Sequence, residues 1–151
     1  MITSKRAHLY VAAITHPGMK GKNNEDRYGV SAYSLDENGS LPSVLAMVAD
    51  GIGGHRAGEV AAEIAVNTIS HVVAESDGSQ PVETLREAIV LASDAIQAQS
   101  LKDPAQRGMG STVICAWVIG DRLYMASVGD SRLYLIRSGT ITGGMIPKIE
   151  G

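Results

Sequence analysis

Val44-Leu45-Ala46-Met47-Val48-Ala49-Asp50-Gly51-Ile52-Gly53-Gly54-His55 runs six apolar residues into one aspartate and then sets three glycines in four positions. The apolar run predicts a strand from Val44 to Ala49, buried on both faces. The glycines turn the chain. Apolar residues then fall at 57, 60, 61, 64, 65, 69, 72 and 73, the spacing of a helix from Ala57 to Val73. A carboxylate at the end of a buried strand, followed by a turn without Cβ atoms, suits a hard cation. The strand fixes the oxygen, and the glycines let backbone carbonyls and water approach.

Upstream, His8 to Ile14 alternates and predicts a strand, ended by His16-Pro17-Gly18. Arg27 to Ser34 predicts a second strand, joined to Val44 by a polar loop that turns at Glu37-Asn38-Gly39. Downstream, Glu75 to Gln80 breaks the first helix, and Pro81 is well placed to start another. Val82, Leu85, Ile89, Ala92 and Ile96 carry its apolar face to Ser100. After the loop Leu101 to Gly108 come strands Thr112 to Ile119, Arg122 to Val128 and Arg132 to Ile136. Gly120-Asp121 and Gly129-Asp130-Ser131 separate them, and Ser138-Gly139 follows the last. Two helices between groups of hairpin-connected strands predict an α+β fold with a largely antiparallel sheet.

At 151 residues the chain reads as one domain. With 44% hydrophobic residues, no Phe and one Trp, its core is built mostly of Ala, Val, Ile and Leu. The net charge is −3, and no Lys/Arg cluster is interleaved with aromatics, which argues against a nucleic-acid partner. The single Cys115 cannot pair within the chain, so a reducing, cytoplasmic setting is expected. Its apolar run, Val113 to Ile119, reads it as a core thiol. The apolar stretch after Lys5 and Arg6 is short and interrupted, neither a leader nor a membrane span.

Three acidic spots stand at predicted strand ends: Glu25-Asp26, Asp50-Gly51 and Gly129-Asp130-Ser131-Arg132. Each alone reads equally as a turn or a solvated loop. Together, without a Cys or His cluster, they point to an oxygen-ligand site for Mg²⁺ or Mn²⁺.

The order NNED (Asn23 to Asp26), VADGIGGHRAGEVAA (Val48 to Ala62), GMGST (Gly108 to Thr112) and VGDSRLYLI (Val128 to Ile136) resembles the metal-dependent Ser/Thr protein phosphatases of the PP2C (PPM) type, most of all their bacterial branch. The resemblance implies a sandwich of two antiparallel β-sheets flanked by helices, here incomplete. It also implies two Mg²⁺ or Mn²⁺ ions whose activated water hydrolyses phosphoserine or phosphothreonine on proteins, often opposing a cognate Ser/Thr kinase. By this resemblance Asp50 is the bridging carboxylate and Gly51 gives its carbonyl. Glu25 and Asp26 form the acidic pair acting through metal-held water, and Asp130 helps hold a third metal. Gly53, Gly54 and Gly110 match positions that shape the backbone.

Three departures set further expectations. Many members carry a phosphate-clamping Arg where this chain has Gly21; Lys20 and Lys22 flank it and supply positive charge without the bidentate fork. His55 reads as a loop or helix-start residue ahead of a proton donor. After Asp130 there is no Asp, and the only later acid is Glu150, whereas the family continues to two further metal-binding aspartates. The expectation is residues 1–142 as the N-terminal part of a phosphatase domain, weak or inactive as this chain. Residues 143–151 form a tail of another kind, its GGMIPK similar to a segment of acetylglutamate kinases. The alternative is a catalytically dead module that binds phosphoproteins or other partners.

Overall fold

The computed structural model describes residues 1–19, 23–53, 56–138 and 140–144. Eight strands and two helices follow in order: β1 (Ile2–Thr3), β2 (Asp26–Ser34), β3 (Pro42–Ile52), α1 (Arg56–Glu75), α2 (Pro81–Lys102), β4 (Gly110–Ser111), β5 (Val113–Ile119), β6 (Arg122–Val128), β7 (Leu133–Arg137) and β8 (Thr140–Gly144). Six strands make one sheet in the order β1-β2-β3-β5-β6, with β4 also on β3, while β7 and β8 pair separately. Every pairing is antiparallel. This is the α+β arrangement that the sequence predicts.

Both helices cover the same face of the larger sheet. Ala62, Ala65, Val66, Ile69 and Val73 of α1 and Leu85, Ala88 and Ala92 of α2 pack on Tyr33, Leu45, Met47, Cys115, Trp117 and Ala126. The small residues of α1 let the helix sit close to the strands. Trp117 is fully buried, and its indole N–H donates to the Ser43 hydroxyl at 2.7 Å, so the largest core side chain leaves no orphan donor. Pro81 opens α2, Glu83 stands in its first turn and Lys102 in its last, each charge opposing the helix dipole. At the end of α1 the N-terminal ammonium of Met1 donates to the carbonyls of Ala74 and Ser76, at 2.9 and 2.8 Å, and serves as the missing cationic cap.

Two expectations are corrected here. His8 to Ile14 is not a strand; residues 10–17 have no regular structure, and Tyr10 and Ile14 are exposed. Alternation supplies a strand pattern but not a neighbour. The edge of β2 pairs with Ile2–Thr3 instead, which leaves 8–14 without a ladder among the described residues. The run Val44 to Ala49 is buried on both faces only at its start, where Val44 is 2% exposed. Leu45, Met47 and Ala49 lie under the helices, whereas Val48 on the other face is 51% exposed. The loop between β2 and β3 turns at Gly39 as predicted, with φ of 70° and Leu35 N–H donating to the Leu41 carbonyl at 3.0 Å.

Candidate metal centre

The register of β2 on β3 places Asp26 directly opposite Asp50. Opposed residues of an antiparallel pair share a face, so both carboxyls emerge together at one end of the sheet, on the side away from the helices. Glu25 precedes β2, and its carbonyl accepts from Gly51 N–H at 3.3 Å. The Asp26 amide donates to Asn24 Oδ1 at 3.1 Å. Arg27 points to the helix side, donating to the carbonyls of Asn24 (3.1 Å) and Asp26 (2.8 Å) and pairing with Glu59 in the first turn of α1. One guanidinium thus pins the acidic segment to the helix without neutralising its carboxylates.

The glycine turn works by close approach. A Cβ on Gly51 would lie 2.0 Å from the Gly58 carbonyl oxygen, and one on Gly58 would lie 2.1 Å from Glu25 Oε2. The end of β3, the start of α1 and the Glu25 side chain therefore meet where no side chain fits between them. Gly53 is held at φ of 152° with Met109 close by, in agreement with a backbone-shaping role. Gly110 has open space around it and no such requirement.

Asp130 follows β6 in the exposed turn Gly129-Asp130. It reaches the other acids electrostatically. Burial raises the Asp50 carboxyl above its ordinary range, followed by the charges of Asp26 and Asp130, a hydrogen bond with the Asp26 side chain and the charge of Glu25. The four acids proposed from sequence are therefore brought into one field. The ion pairs among the described residues, Arg27–Glu59, His71–Glu75 and Arg86–Glu83, leave these four out. A negative, oxygen-only cluster fits Mg²⁺ or Mn²⁺ in donor type. Among the described residues no three such side chains converge enough to hold an ion by themselves. An ion here would therefore complete its shell with water, as Mg²⁺ commonly does.

Thr112 joins the two halves of the cluster. Its amide donates to the Asp50 carbonyl at 2.9 Å, its Oγ1 accepts from the Asp50 amide at 3.2 Å, and the same Oγ1 lies 2.8 Å from Ser131 Oγ. Ser111 Oγ also donates to the Asp50 carbonyl, at 3.2 Å. Sequence reading missed Gly58, Thr112 and Arg27. Gly58 alone left a signal, a glycine in the first turn of a helix that glycine disfavours by about 1 kcal/mol. Lys20, Gly21, Lys22, Gly54 and His55 lie outside the described residues. Cys115 is confirmed as a core thiol, pushed by burial to about 12.

A family profile described as "Protein phosphatase 2C" matches residues 18–143. The chain belongs to the protein phosphatase 2C family. It is 34% identical over 134 residues to the serine/threonine protein phosphatase PstP of Mycobacterium tuberculosis, covering 89% of this chain and 24% of that protein. It is 35% identical over 131 residues to the serine/threonine phosphatase stp of Listeria welshimeri, covering 84% of this chain and 50% of that one. Its fold matches the catalytic domain of PstP solved with two manganese ions, with a TM-score of 0.71 at 32% identity over 87% of this chain and 52% of that one. The chain thus spans half or less of these curated relatives. Its larger sheet with two helices is an incomplete version of the protein phosphatase 2C sandwich.

Proposed function

We propose that this chain carries the first half of a protein serine/threonine phosphatase site, in a domain whose N-terminal part is residues 1–142. The observation that carries the reading is the opposition of Asp26 and Asp50 across β2 and β3, with Glu25 and Asp130 adding charge to the same spot. With water completing their shells, Asp50, Gly51 and Asp26 would hold two Mg²⁺ or Mn²⁺ ions, and Asp130 would contribute to a third. Such a pair, when bound, supplies Lewis-acid activation of water and stabilises the attacking and leaving oxygens of a phosphate ester. The residues of this chain supply the rest. Asp50 is oriented through both its amide and its carbonyl, Glu25 and Asp26 accept hydrogen bonds from bound water, and Lys20 and Lys22 offer charge to the substrate phosphate.

The substrates on this reading are phosphoserine or phosphothreonine proteins, with a Ser/Thr kinase as the opposing enzyme and the cytoplasm as the setting. Among the described residues no helix is long and apolar enough to cross a membrane. The ligand set of this chain is partial, so turnover is weak. Calorimetry with Mn²⁺ and hydrolysis of p-nitrophenyl phosphate test the reading together. The expected result is Mn²⁺ binding and a low Mn²⁺-dependent turnover, both lost in Asp50→Ala. Binding with no turnover leaves the phosphoprotein-binding alternative; no binding, or equal behaviour of the variant, removes the metal site.

A further inference from the structure

Asp50 and Asp130, two like charges, sit on segments separated by 80 positions of sequence. Something must hold the Asp130 turn against the end of β3 before any cation arrives. The ladder between β3 and the following strands shows what does. β4 pairs Ser111 with Gly51, and β5 pairs Ile114 with Val48. Thr112 lies between these pairings, opposite the Asp50 end of β3, and is only 4% exposed.

Its amide makes an ordinary cross-strand bond to the Asp50 carbonyl, at 2.9 Å. The return bond is unusual. The Asp50 amide is received by the Thr112 hydroxyl, at 3.2 Å, in place of a backbone carbonyl. That same hydroxyl lies 2.8 Å from Ser131 Oγ, immediately after Asp130. The Thr112 methyl holds the other flank, since a Cβ on Gly129 would stand 2.7 Å from Thr112 Cγ2. One side chain therefore grips the Asp130 turn on both sides and is itself tied to the Asp50 backbone.

We propose that Thr112 is a positioning residue, whose hydroxyl bridges the Asp50 amide and the Ser131 hydroxyl and so sets the separation of the Asp50 and Asp130 carboxylates for divalent-cation binding. The inference rests on the metal-site reading above and deepens it. Thr112 acts at one remove, by restraining the backbone of two acids that would hold the cation. The bridge also explains why threonine suits the position. Valine keeps the methyl and loses both hydrogen bonds, and serine keeps the hydroxyl and loses the grip on Gly129.

The test uses Thr112→Val, Thr112→Ser, Ser131→Ala and the Thr112→Val/Ser131→Ala double variant. Mn²⁺ affinity is read by calorimetry, fold stability by metal-free thermal melting, and the bridge by the Asp50 amide resonance. Outer partners of metal ligands typically account for about 10–100-fold in affinity. Thr112→Val is therefore expected to weaken Mn²⁺ roughly tenfold or more, with Thr112→Ser close to wild type. Ser131→Ala is expected to weaken Mn²⁺ with little change in melting temperature and to shift the Asp50 amide resonance. The double variant should be no worse than Thr112→Val, because both remove one bridge.

Wild-type Mn²⁺ affinity in both Thr112→Val and Ser131→Ala overturns the positioning role and leaves the metal site standing. So does a loss in Thr112→Val that serine does not restore, or an Asp50 resonance indifferent to Ser131→Ala. A wild-type chain that binds no Mn²⁺ overturns the metal-site reading, and the positioning role falls with it.

Discussion

The two faces of the six-stranded sheet differ in almost everything but their apolar character. Under α1 and α2, Leu45, Met47, Cys115 and Trp117 are 3% exposed or less. On the opposite face Tyr28 is 47% exposed, Val30 42% and Val48 51%. That face looks onto a cleft of about 650 Å³, bordered by residues 11–16 and 131–134, in the place where a β-sandwich packs its second sheet. The carboxylates of Asp26 and Asp50 belong to this open face, at its end. Stability and candidate chemistry are thus carried by opposite sides of the same strands. The covered side fixes backbone positions, and the open side presents the acids those positions aim.

Truncating one side chain on each face should separate the two most strongly. Trp117→Ala empties a fully buried site and orphans the Ser43 hydroxyl, and is expected to lower unfolding free energy by about 3–5 kcal/mol in urea titration. Val48→Ser, two residues before Asp50 and on the open face, should stay within about 0.5 kcal/mol. Equal losses would mean that the open face is as well packed as the covered one.

Gly58→Ala probes the seam between the faces. The added methyl would meet Glu25 Oε2 and stand 2.9 Å from the Gly51 carbonyl carbon. Helix propensity alone predicts a gain of about 1 kcal/mol for alanine, whereas overpacking predicts a loss of roughly 1–3 kcal/mol. The loss is expected, together with weaker Mn²⁺ binding. A more stable variant would show that the contact between α1 and β3 relaxes freely.

The smallest effect has the opposite sign. The Asp50 carboxyl is raised first by burial and then by its acidic neighbours, so the folded state holds that proton more tightly than the unfolded chain does. Stability is favoured below the ordinary carboxylate range and lost as pH rises through the raised folded value. Asp50→Asn removes this strain. Its metal-free melting temperature at pH 7 should exceed wild type, and the gain should shrink as pH falls into the carboxylate range. Mn²⁺ should raise the melting temperature of wild type and not of the variant. A gain independent of pH would assign it to something other than charge.

Much of this was legible in residue order. Periodicity placed α1 and α2 within about two residues of their ends, because each buries a face at helical spacing and Pro81 marks a start. The acidic spots were legible because acids beside the ends of apolar runs, two of them next to glycine, are local patterns. His8 to Ile14 misled because alternation says which way side chains point, not whether a partner strand exists. β1 and β4, two residues each, carry no pattern long enough to read. Thr112 was invisible as a bridge, since its partners lie 62 positions before it and 19 after.

Residue order carries the two long helices with their apolar stripes, the longer strands and the motifs of the protein phosphatase 2C family, because all of these depend on neighbours within a few residues. Tertiary contacts settle which face of the sheet is covered, that Asp26 stands opposite Asp50, and that Thr112 links the Asp50 backbone to Ser131 beside Asp130. Those depend on strand register and on approaches such as Gly51 against Gly58, where the deciding quantity is the space between backbones distant in sequence.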